Sequence, residues 1–222
     1  MHRIADGVWQ LTGFIKHLFN SYLLEDVLVD AGTRWAAGRI LGSVQGRDVK
    51  LLALTHCHPD HQGSAAKICR RLHIPLACHA ADAAAMEGRE PMQPDIGIVR
   101  LGQKVWAGPA RPVDRLLREG DEVGGFKIIE TPGHTPGHIS FFRERDRLLI
   151  AGDVLANVHF FTNKPGLRLP PSRFCTNPID NRHAVLRLAE LEPKIVCFGH
   201  GPPLRDSRLF QSFAERSRDR LG

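Results

Sequence analysis

Short runs in which apolar residues alternate with polar ones, or follow one another without a break, recur along the chain. They fall at residues 8–11, 21–24, 27–29, 49–54, 74–78, 126–130, 139–142, 148–151 and 195–198. Their length and their Val, Ile, Leu and Phe content predict β-strands. Stretches with helical spacing lie between several of them, at 33–43, 64–72, 82–87, 181–190 and 207–220. Strands and helices are mixed throughout, so the fold class is α/β or α+β. Two Gly/Pro-rich stretches, 88–113 and 155–174, break the pattern and read as long loops, which inside a domain are usually functional or disordered. The second carries His159, Phe160 and Phe161 and is read as facing a substrate. A third segment, 12–20, sits between the first two strands and carries Phe14 and Phe19, apolar residues suited either to a flap over a site or to packing under the sheet.

Function shows most clearly at the ends of the strands. The run 49–54 leads into "THCHPDH", 126–130 into "TPGH", 148–151 into "GD" and 195–198 into "GH". Four strands therefore each deliver a metal-type side chain just past their C-terminal ends, on the sheet edge where binding and catalytic groups collect.

Composition narrows the setting. A chain of 222 residues is long enough to bury a substantial core, and is read as one domain over 1–222. A metal is thus not needed to hold up a coreless scaffold. The apolar runs are far shorter than a membrane span and the N-terminal stretch lacks the pattern of an export leader, so no membrane association and a cytoplasmic address are expected. Five cysteines with no CxxC pair argue for reduced thiols. The net charge of +6 is carried by scattered arginines, with Arg143, Arg145 and Arg147 interleaved with Glu144 and Asp146. That is the pattern of a mixed-charge surface, and a small-molecule substrate is expected rather than a nucleic acid. The oligomeric state is left open, a homodimer included.

In extended chain, histidines at i and i+2 face the same way, so His56 and His58 can grip one ion together. Pro59 then turns the backbone and sends Asp60 and His61 toward a second position. His134, Asp153 and His200 arrive from the other strand ends, each with glycine nearby. Five histidines and two carboxylates are too many for one tetrahedral ion and suit two ions sharing a carboxylate.

The motif "THCHPDH" together with His134, Asp153 and His200 resembles the metallo-β-lactamase-fold hydrolase superfamily, whose pattern is HxHxDH plus His, Asp and His. The resemblance covers essentially the whole chain. It implies an αββα sandwich, His56, His58 and His134 around a first metal, Asp60, His61 and His200 around a second, and Asp153 bridging them. Two divalent ions are implied, zinc first with iron or manganese as alternatives. Asp30 in "LVDAG" falls on an acidic position of the family and is read as orienting a ligand histidine.

The implied chemistry is hydrolysis by a metal-bridging hydroxide, with Asp60 as the catalytic residue that orients it and carries its proton. An aspartate bridge is similar to glyoxalase II and the lactonases rather than to the true β-lactamases. The lactonase tyrosine three residues after the bridge is Ala156 here, and Lys164 is not at the spacing of the glutathione-binding lysine. The expectation is a hydrolase of small esters, lactones or thioesters with broad specificity. The alternatives are a persulfide dioxygenase with a single iron and a β-lactamase-type amide hydrolase.

Overall fold

A computed structural model of the chain describes residues 1–11, 17–159, 162 and 164–218. Seven strands form a first sheet in the order of the sequence: β1 (His2–Ala5), β2 (Val8–Leu11), β3 (Ser21–Leu24), β4 (Val27–Val29), β5 (Leu51–Ala53), β6 (Leu76–His79) and β7 (Arg115–Leu117). The first four pair antiparallel, and β4 to β7 pair parallel. Parallel neighbours need a crossover, and helices supply it. They are α1 (Ala37–Ser43), the single turn α2 (Pro59–Gln62), α3 (Ala65–Leu72), α4 (Ala80–Met86) and α5 (Gly97–Trp106). A second sheet contains β8 (Glu122–Val123), β9 (Phe126–Glu130), β10 (Ile139–Arg143), β11 (Leu148–Ile150) and β12 (Ile195–Cys197), in the order β12-β11-β10-β9-β8. Helices α6 (Pro178–Glu190) and α7 (Ser207–Arg218) lie with this sheet.

Three apolar clusters make the layers. Alternation along the strands splits neighbours between them: Leu23 of β3 packs with Ile40 of α1 and Ile68 of α3, whereas Tyr22 and Leu24 face Phe126, Ile128 and Phe141 of the other sheet. In the second sheet Phe141 faces inward, while Phe142 and Leu149 meet Val185 and Leu188 of α6 and Phe210 of α7. The result is the expected helix-sheet-sheet-helix sandwich. Strands covered on both faces read as continuous apolar runs rather than clean alternation. Among the described residues no helix is long and apolar enough to cross a membrane.

The structure departs from the sequence reading in several places. Strands β1, β7 and β8 are additional; they are short, and β1 and β7 carry exposed polar positions that hide the pattern. The expected loop 88–113 contains the three-turn helix α5, whose Gly97 and Gly102 and largely exposed apolar residues conceal it. Helix α6 starts earlier than the spacing suggests, because Asn177 caps it, accepting from Ile179 N and Asp180 N, with Pro178 in the first turn.

Candidate metal centre

Beyond β5 the chain bends at Thr55, is extended at His58 and then closes into α2, where the His58 carbonyl accepts from His61 N and Gln62 N. Pro59 opens that turn, so Asp60 and His61 leave in a direction different from His56 and His58. The loops after β9, β11 and β12 bring His134, Asp153 and His200 from the second sheet. Three overlapping groups result: His56, His58 and His134; His56, His61 and Asp153; Asp60, His61 and His200. Within each, the ligand-type atoms lie within 4.8 Å of one another.

The Oδ2 atom of Asp153 is central, 2.9 Å from His200 Nε2, 3.4 Å from His61 Nε2 and 3.7 Å from His134 Nε2. Asp60 Oδ2 lies 3.4 Å from His200 Nε2, and His134 Nε2 lies 2.9 Å from His58 Nδ1. The rings are held from behind. His61 Nδ1 meets Asp30 Oδ2 at 2.8 Å, His56 Nδ1 meets Thr55 Oγ1 at 3.0 Å, His58 Nε2 meets the Gln93 carbonyl at 2.7 Å, and His200 Nδ1 meets the Leu18 carbonyl. His134 Nδ1 faces the Cys175 thiol at 3.8 Å. With their outer nitrogens occupied, the inner ones converge, and His56 Nε2, His61 Nε2 and Asp153 Oδ1 are buried without a hydrogen-bond partner. Buried polar atoms of native proteins rarely go unpaired, and a cation between them is what such atoms fit.

Protonation agrees with ligation. Burial pushes His56, His58 and His134 down, and neighbouring imidazoles push His56 and His134 further. Burial would raise the Asp153 carboxyl, but His200 and His61 outweigh it and hold it well below the usual range. Burial opposes charge on His61 and His200 as well, yet the Asp153 carboxylate prevails and both are raised. Neutral imidazoles and an ionised carboxylate are the forms that bind metals, and a bound cation would displace the protons that His61 and His200 attract.

Close packing makes room for this convergence. A Cβ on Gly199 would lie 2.7 Å from His61 Cε1 and would overlap Asp153 Oδ1. Three supporting residues escaped the sequence reading. Thr55 donates its backbone N–H to Asp30 Oδ1 at 2.8 Å, and its hydroxyl lies 2.9 Å from Asp30 Oδ2, tying β5 to the Asp30 turn. His138 accepts from Asp153 N at 3.0 Å and meets Thr131 Oγ1 at 2.8 Å on its other nitrogen. Asp82, buried on α4, accepts from Cys57 N, Thr135 Oγ1 and Gly137 N, each at 2.8 Å, and so joins the His56–His58 loop to the loop after His134. Its carboxylate in a predicted helix offered no signal beyond its acidity.

Of the expected substrate contacts, Phe14, Phe160 and Phe161 lie outside the described residues. The Phe19 ring stands edge-on to His200 at 5.6 Å and to Trp106 at 5.8 Å, beside the centre. His159 accepts from Thr162 N at 3.3 Å within its own loop. Cys57 is buried in the outer core, pointing away from its histidine neighbours.

The sequence profile described as Metallo-beta-lactamase superfamily matches residues 20–200, a span that takes in all seven converging side chains. The chain belongs to the metallo-beta-lactamase superfamily. Within that superfamily it is 30% identical to the probable metallo-hydrolase YflN of Bacillus subtilis (strain 168), over 95% of this chain and 90% of that protein. The metallo-beta-lactamase family protein TTHA1429 of Thermus thermophilus superposes with a TM-score of 0.70 at 26% identity, covering 99% of this chain and 82% of that one. A structure of TTHA1623 in a di-iron-bound form superposes with a TM-score of 0.67 at 27% identity, covering 92% and 96%. The superfamily fold thus accounts for the two sheets and the flanking helices.

Proposed function

We propose that this chain, acting as one domain over 1–222, is a two-metal hydrolase of small carboxylic esters, lactones or thioesters. The observation that carries the reading is the three overlapping donor groups. His56, His58 and His134 would hold one divalent ion, Asp60, His61 and His200 the other, and Asp153, whose Oδ2 faces both sets, would bridge them. Bound divalent ions would supply Lewis acidity for a substrate carbonyl and lower the pKa of water toward neutrality. Zinc suits histidine and carboxylate ligands, and the di-iron form of TTHA1623 makes iron the first alternative.

The residues of the chain do the rest. Asp60 has the most open carboxylate of the centre, 15% exposed. It would orient the attacking water and pass its proton to the departing atom. Asp30 holds His61 in the tautomer that presents Nε2 inward, and Asp82 sets the distance between the two loops of the first position. Elemental analysis and turnover on one preparation test the proposal. Two metals per chain, with hydrolysis of esters, lactones or thioesters, is the expected result. Asp60→Asn should keep at least one metal and lose most of kcat, because an amide can neither accept the proton nor carry the charge. One metal per chain after saturation, or persulfide oxidation without ester hydrolysis, would overturn the reading.

A further inference from the structure

Helix α5 presents more apolar surface to solvent than a surface helix needs. With 3.6 residues per turn, Val99, Trp106 and Gly102 fall together on one side, and Ile98, Val105 and Leu101 follow further round. Val99 is buried, and Gly102 lies between Pro59 of α2 and the Trp106 ring, a Cβ built there coming 3.9 Å from each. Ile98 (49%), Val105 (42%) and Leu101 (60%) are exposed, and Trp106 is 39% exposed. Trp35, 66% exposed, adjoins this surface, because Arg34 N donates to the Trp106 carbonyl at 2.8 Å. The inner end of the strip is fixed by Phe19, whose ring contacts both Trp106 and His200. Asp60, the candidate ligand with the most open carboxylate, lies 3.4 Å from His200 Nε2, the same imidazole that the Phe19 ring stands against.

We infer that this strip, from Phe19 over Trp106 onto the outward face of α5, holds an extended apolar chain of the substrate, so that the site takes carboxylic derivatives bearing an aliphatic or aromatic tail. The inference rests on the hydrolase reading above and names its substrate class. Continuity with the centre favours a substrate tail over a second copy of the chain. A protein surface seated on Trp106 and Phe19 would cap the open side of Asp60 and close the site to any substrate. A tail instead runs outward from a carbonyl held near Asp60, shielding apolar area at each step.

Full burial of a methylene corresponds to about fourfold in affinity, and an open strip shields roughly half of that area, or about twofold per methylene. On the order of 50-fold is then expected between butanoate and decanoate. Two series read this out. Binding of the straight-chain carboxylates from butanoate to decanoate to metal-free protein is followed by calorimetry. Turnover of the matching aryl esters by metal-loaded protein is followed as kcat/KM. Both should rise with chain length in the wild type and flatten in Trp106→Ala and Leu101→Asp, the latter at an exposed position where folding is not at risk. Leu209→Asp on α7, also exposed, should leave both series unchanged. If carboxylate binding shows the trend and its loss in Leu101→Asp but no ester is turned over, the strip stands and the hydrolase reading falls. A flat wild-type series, a trend that survives both strip variants, or a dimer that Leu101→Asp splits without any chain-length trend would overturn the inference.

Discussion

Replacing Asp82 by alanine tests whether a residue that touches no candidate ligand side chain holds the centre together. The carboxylate is buried and accepts two backbone N–H groups, of Cys57 and Gly137, and the Thr135 hydroxyl. The hydroxyl can rotate toward another acceptor, but the two amides cannot. Each buried donor left unpaired costs about 1–3 kcal/mol, so the variant should lose about 4 kcal/mol of the roughly 5–15 kcal/mol that stabilises a domain. Asp82→Asn has the same shape but offers an acceptor to one side only, and should lose about half as much. Urea unfolding of metal-free protein measures both, with the slope checking that the transition is otherwise unchanged. The same variants should bind the first metal more weakly, since His58 and His134 are no longer held at a fixed distance. A loss below about 1 kcal/mol for the alanine variant, with intact metal binding, would refute the clamp.

Asp30→Asn should weaken the metal at His61 by about 10- to 100-fold, as removal of such a partner typically does, while leaving the His56, His58 and His134 position intact; competition with a chromophoric chelator separates the two. Gly199→Ala should abolish tight binding of the second metal, because the added methyl takes the space of Asp153 Oδ1 and crowds His61, and a normal stoichiometry would contradict that geometry. Burial pushes His138 down to about 3 from the ordinary 6.5, so it is neutral in the folded chain while it gains a proton in the unfolded one. Its contribution is therefore present above pH 6.5 and is lost at up to about 1.4 kcal/mol per pH unit as pH falls toward 3. His138→Gln, which cannot titrate, should show a correspondingly shallower decline of metal-free stability between pH 6.5 and 4, and equal slopes would exclude His138 as a source.

The sandwich and the seven converging side chains were legible because they rest on strong local signals. Strands covered on both faces leave apolar runs, and the ligand-type residues sit immediately after them. Helix α5 was not legible. Its apolar residues face outward and its glycines weaken the helical pattern, so the segment reads as a loop. Asp82 was hidden for a different reason: its partners lie 25, 53 and 55 residues away, and no local pattern carries contacts of that separation. Asp30 could be singled out only through the family resemblance, although its left-handed backbone, with φ of 62°, is the kind of turn that Asp tolerates better than most residues.

Each sheet is built from one continuous stretch of chain, β1 to β7 and then β8 to β12. His56, His58, Asp60 and His61 ride on the first stretch, and His134, Asp153 and His200 on the second. Neither half carries a complete donor set for either proposed ion position. The proposed centre would therefore work as an alignment gauge between two stacked plates. A lateral slip of one plate would separate the donors of both proposed ion positions together, whereas a distortion within one plate would displace only the donors that plate carries. Side chains that set the stacking, such as Phe126, Phe141 and Tyr22 in the middle layer, would thereby become adjusting screws for metal affinity from a distance.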